Sequence, residues 1–135
     1  MTHSAAVLAR VRAPGRVGVL AAGPDVGTGE AGSLEAGTMA RIQVRVGDGR
    51  IAAAVFKVYG CSAAIASASL VTEWLDGATL EAARALDGAT VAAALELAPE
   101  RRAVAALVVA AARAAVADWE SRQGRPGGGP AGTGR

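Results

Sequence analysis

The chain is short of the residues that most often carry chemistry. Its 135 residues include one cysteine, Cys61, and one histidine, His3. Phenylalanine, tyrosine and tryptophan together make up 3%. A single cysteine excludes an internal disulfide framework. With so few aromatics, the core must come from Ala, Val, Leu and Ile, which the 52% hydrophobic fraction can supply. Lysine occurs once, at Lys57, so the formal charge of +2 rests on arginine. Those arginines are scattered and not interleaved with aromatics, which argues against a nucleic-acid surface. The longest apolar run, Ala103–Ala112, is too short to span a bilayer and meets Arg113. No basic segment followed by an apolar run and a cleavage site opens the chain. The expectation is a soluble cytoplasmic protein that contacts neither nucleic acid nor membrane. No acid and base pair accompanies Cys61, and "GTGEAG" is too short for a nucleotide loop. An enzyme is not expected.

The length suits one domain. Ser4–Arg12 has the makings of a short helix, stopped by Pro14 and Gly15. Ala22–Gly32 is glycine-rich without apolar periodicity and reads as loop, with at most a weak edge strand towards Leu34. Thr38–Val46 alternates, with Ile42, Val44 and Val46 on one face and Arg41, Gln43 and Arg45 on the other, as in a half-buried strand. Gly47-Asp48-Gly49 signals a hairpin, because Asp and Gly tolerate a left-handed backbone. Ile51–Tyr59 returns as the partner strand, with Ile51, Ala53, Val55, Lys57 and Tyr59 on one face and Phe56 and Val58 on the other.

After Gly60 the period changes to 3.6, and a helix runs to about Leu75, ended by Asp76-Gly77. Thr79 caps a further helix, Ala89–Glu96 forms another, and Pro99 opens a last long one carrying Val104, Leu107, Val108, Ala111, Ala115, Val116 and Trp119. Residues 124–135, "GRPGGGPAGTGR", read as a disordered tail after a domain over 1–123. The fold class is α+β: a small three-stranded antiparallel sheet with helices packed on it.

Cys61 stands where strand gives way to helix. By residue type alone, a lone cysteine is most often a small buried apolar residue. Its position points elsewhere, since the first turn of a helix presents unpaired N–H groups that favour an anion.

The stretch "YGCSAAIASASLVTEWLDGATLEAA" resembles the U-type iron–sulfur cluster scaffolds, the family of IscU and the NifU N-terminal domain. Gly60, Cys61, Ala64, Ile65, Ala66, Ser67, Ser69, Leu70, Thr72, Glu73, Trp74, Gly77, Thr79 and Leu80 all match the family pattern. "VLARVRAPGRVG", "PDVGTGEAG" and "AAVADWESRQG" extend the likeness over nearly all of the chain except the tail. The resemblance implies the family's fold and a role in iron–sulfur cluster assembly.

It also implies a loss. The family's Ala-Cys-Gly-Asp falls on Glu35, Ala36, Gly37 and Thr38, and its His-Cys pair on Ala103 and Val104. Cys61 is the one ligand position that keeps its residue. A [2Fe–2S] unit wants four protein donors, so no cluster is expected to stay on the monomer. The family's chaperone-recognition stretch Leu-Pro-Pro-Val-Lys reads here as Leu97, Ala98, Pro99, Glu100 and Arg101. Three readings stay open, one of them a drifted relative in which Cys61 is only a leftover core residue. In another, Cys61 carries sulfur or a transient [2Fe–2S] cluster shared with a partner or a second chain. Alternatively, the chain is a docking or regulatory module without metal, pairing with a cysteine desulfurase or another scaffold.

Overall fold

The computed structural model describes residues 3–123. The expected tail at 124–135 lies outside the described residues. Helix α1 spans Ala5–Arg12, followed by strands β1 (Val26–Ser33), β2 (Thr38–Gly47) and β3 (Arg50–Tyr59). Then come α2 (Ser62–Leu75), α3 (Leu80–Arg84), α4 (Gly88–Ala94), a 3-10 turn at Pro99–Arg101, and α5 (Arg102–Gln123). The strands form one antiparallel sheet in the order β1-β2-β3. Helices α2 and α5 pack on one face of it, and α1, α3 and α4 pack on those two helices. No described helix is long and apolar enough to cross a membrane.

The turn chemistry is local. Asp48 and Gly49 both have positive φ, 54° and 74°, as a two-residue hairpin of right-handed twist requires. Ser4 caps α1 by accepting from the Val7 N–H, and Thr79 caps α3 by accepting from Ala82. Asp87 caps α4 through Thr90, a cap that the helix pattern alone does not announce.

Two sequence expectations need correction. First, the glycine-rich stretch is not loop: Val26–Ser33 is a full edge strand paired with β2 from Val26↔Arg45 to Ser33↔Thr38. Its glycines answer to α5. A Cβ at Gly27 would lie 2.1 Å from the Ala115 carbonyl oxygen, and one at Gly29 would lie 2.2 Å from that of Ala111. The helix backbone lies directly on the strand, so no side chain fits there. Second, Ile51 does not share a face with Ala53 and Val55. The register slips between Arg45 and Val46, and Ile51 joins Ala54 and Phe56 in the core. One extra residue in β3 reverses the parity of every side chain before it.

Helix α2 is central. Ten of its 14 residues are buried, from Ala63 to Leu75, and all sides meet protein. That explains its weak amphipathic pattern, since a helix covered all round has no polar stripe. The chain after α1 flanks the β3 edge of the sheet and then reaches its outer face. Arg16–Gly18 runs parallel to β3 and exchanges two backbone hydrogen bonds with Phe56. Leu20 N–H donates to the buried Gln43 side chain at 2.9 Å, and Gln43 donates to Thr28 Oγ1 at 3.0 Å.

Candidate functional site

The site is built from a corner. Gly60 has φ 154°, and a Cβ there would meet Thr38 Cγ2 at 3.2 Å, Thr38 Oγ1 at 3.3 Å and Ala64 Cβ at 3.4 Å. Glycine therefore lets β3 turn straight into α2 against the start of β2. The next residue, Cys61, is the N-cap of α2. Its carbonyl accepts from Ala64 and Ile65 N–H, but its side chain makes no capping hydrogen bond. Cys61 is a free, half-buried cysteine packed against the core.

Other elements reach the same end of the molecule. The β1–β2 turn closes through Gly37 N–H to the Leu34 carbonyl at 3.1 Å, and Ala36 N–H donates to Ser33 Oγ at 3.1 Å. Helix α5 runs antiparallel to β1: Gly27 faces Trp119 and Ala115, Gly29 faces Ala115 and Ala111, and Gly32 faces Leu107. That progression carries the first turn of α5, with Ala103 and Val104, towards the end of β1 and the turn. Ala36 and Ala103 are exposed, and Val104 is half-buried. So the topology gathers the segments carrying Ala36, Thr38, Cys61 and Val104, with Thr38 directly at the Cys61 corner.

These neighbours bring little donor chemistry. Among the described residues, no three His, Cys, Asp or Glu side chains come together as a metal ion would need. Thr38 offers a neutral hydroxyl, while Ala and Val offer nothing. The residues present do not fit a complete metal or cluster site.

Beside the corner lies an apolar surface that the strand pattern only hints at. Leu34, Tyr59 and Val19 are 63%, 59% and 59% exposed. With Met39, Arg41 and Lys57 they line an open groove of about 440 Å³ on the outer sheet face. Alternation puts Tyr59 on the same face as Lys57, but it leaves open that both faces of this strand are covered. Leu34 and Val19 sit in irregular segments, where no period marks them.

The profile of the NifU-like N terminal domain matches residues 2–126. The chain belongs to the NifU-like N-terminal domain family. It is 41% identical over 126 residues to the iron-sulfur cluster assembly scaffold protein IscU of Azotobacter vinelandii, covering 92% of this chain and 98% of that one. The IscU of Escherichia coli K12 is 42% identical over 100 residues, 73% of this chain and 78% of that one. Among solved structures, a NifU-like N-terminal protein from Brucella abortus superposes with a TM-score of 0.69 at 21% identity, covering 88% of this chain and 94% of the other. A scaffold protein for the SUF system from Fervidobacterium islandicum gives 0.65 at 16% identity, covering 84% and 96%. The relatives named scaffold proteins carry a non-enzymatic description. This NifU-like domain keeps the three-stranded sheet and the helices on one of its faces, as the resemblance implied.

Proposed function

We propose that this protein works in iron–sulfur cluster assembly, meeting its partners through the scaffold fold and offering them one thiol, Cys61. The observation that carries the reading is the corner itself. A partly exposed cysteine with no capping hydrogen bond starts α2 in a chain whose IscU relatives are named as assembly scaffolds. The role is carriage, not turnover. In the sulfur-carrier form, the Cys61 thiolate attacks the outer sulfur of a persulfide on a cysteine desulfurase. The new S–S bond forms at Cys61, the donor's S–S bond breaks, and the donor cysteine leaves as a thiolate with no net redox change. In the cluster form, a [2Fe–2S] unit is shared with a partner or with Cys61 of a second chain.

The test is incubation with a cysteine desulfurase and free cysteine, followed by alkylation and mass spectrometry. A mass gain of one sulfur at Cys61, absent in Cys61→Ser, is expected. A thiol that alkylates only after denaturant is added would sink the thiol reading.

A second reading has its own support. The exposed Leu34, Tyr59 and Val19 surface beside Cys61 suits a docking module that pairs with a desulfurase or another scaffold without carrying anything. In that case Tyr59→Ala weakens capture of a desulfurase while Cys61→Ser does not.

A further inference from the structure

We infer that the chain has no metal site of its own: Cys61 supplies a single donor, and any zinc ion or [2Fe–2S] unit touching it takes its other donors from outside the chain. This deepens the assembly reading and rests on it only for the choice of cargo.

The donor count leads there. Structural zinc and a [2Fe–2S] unit each want four protein donors, mostly thiolate or imidazole. The whole sequence holds one of each. The imidazole, His3, lines a small cavity with Glu96, Leu97 and Arg101, and Cys61 is not part of that lining. Carboxylates would have to supply the rest, and most are engaged. Asp25, Glu30, Glu73, Asp76, Asp118 and Glu120 are each ion-paired with an arginine. Asp87 caps α4. Asp48 sits in the β2–β3 hairpin turn, and Glu81 in the first turn of α3. Glu35 is exposed in the β1–β2 turn at the Cys61 end, Glu96 follows α4 and Glu100 lies in the 3-10 turn, and among the described residues none of them completes a group of three donors. At the corner the side chain packed on Gly60 is Thr38, whose neutral hydroxyl is a weak donor to zinc or iron. One thiolate outside any cluster of three donor side chains does not compete with water and cellular thiols for a metal.

The experiment offers zinc to the purified full chain and, in a separate anaerobic arm, iron(II) with sulfide. After desalting, metal per chain is read by elemental analysis and cluster by visible absorption, with circular dichroism checking the fold. The parent is expected to retain no more metal than Cys61→Ser. One Cys61-dependent zinc or cluster per monomer would overturn the inference, while leaving the persulfide test of the assembly reading untouched. A cluster retained only by a dimer, and only when glutathione is supplied, supports it, because half the donors are then external.

Donors are then built in at the same end: Ala36→Cys with Thr38→Asp, and that pair combined with Ala103→His and Val104→Cys. A gain to one zinc per folded chain shows that donors alone were missing. If the built variants fold poorly or bind nothing, the parent measurement still decides the matter.

Discussion

Ser67 and Ser69 sit two residues apart on α2 and have different surroundings. Both are buried, at 0% and 2% exposure. Ser69 Oγ donates to the Pro14 carbonyl at 2.9 Å and accepts from Arg10 at 3.1 Å, tying α1 and the segment after it to α2. Ser67 Oγ has no hydrogen-bond partner among the described residues. A buried hydroxyl without a partner costs about 1–3 kcal/mol, whereas a made hydrogen bond contributes about 1 kcal/mol net. Ser67→Ala should therefore leave stability unchanged or raise it by about 1 kcal/mol, and Ser69→Ala should lower it by about 1–2 kcal/mol. Urea denaturation midpoints at a constant slope read both. A clear loss in Ser67→Ala would mean that its hydroxyl has a partner after all. In sequence the two serines stand in the same alanine-rich run and could not be told apart; the distinction comes from what packs against each.

At the scale of elements, the contact of β1 with α5 is the feature that the sequence concealed. "VGTGEAG" has no apolar alternation, because a strand lying under a helix backbone needs empty positions instead of large ones. Gly29→Ala puts a methyl 2.2 Å from the Ala111 carbonyl oxygen and 2.3 Å from the Ala115 nitrogen, both backbone atoms that cannot move alone. The expected loss is about 3 kcal/mol, at the upper end for overpacking. Gly37 has φ 87° and nothing within 4 Å, so Gly37→Ala should cost only the left-handed backbone term, about 1–2 kcal/mol. Gly18 has ordinary φ and open space, and Gly18→Ala should change little. Thermal melts of the three variants separate steric from conformational cost. Equal shifts for Gly29→Ala and Gly18→Ala would refute the close packing.

For the whole molecule, charge contributes little to stability. The paired side chains in its ion pairs are 23% to 54% exposed, where such pairs are worth about 0–1 kcal/mol each. One carboxyl stands apart. Asp87 Oδ1 accepts from the Thr90 N–H at 2.7 Å, and this bond first, then the Thr90 side chain, holds the carboxyl below the usual aspartate range. A group lowered on folding contributes stability above its unfolded pKa, about 3.9, and loses it as pH falls through the folded value. Asn keeps the cap and removes the titration. Asp87→Asn should match the parent near pH 7 and show a shallower fall in melting temperature below about pH 4. Identical acid limbs would assign the acid sensitivity to other carboxylates.

Sequence by itself determined the α+β class, the hairpin at Asp48-Gly49, the helix starts at Ser4 and Thr79, and the corner at Gly60-Cys61. Each of these depends on local chemistry: φ, a side-chain cap, or a change of period. The resemblance carried the family, because the run from Gly60 to Leu80 matches without a gap. Tertiary structure decided the rest. It made a strand of Val26–Ser33, because only the packed α5 explains those glycines. It put Ile51 on the face of Ala54 and Phe56 through a bulge that alternation cannot foresee. It gathered Leu34, Val19 and Tyr59 from three segments into one exposed surface beside Cys61. Contacts between segments distant in sequence leave no periodic trace, so a single chain read along its length does not reveal them.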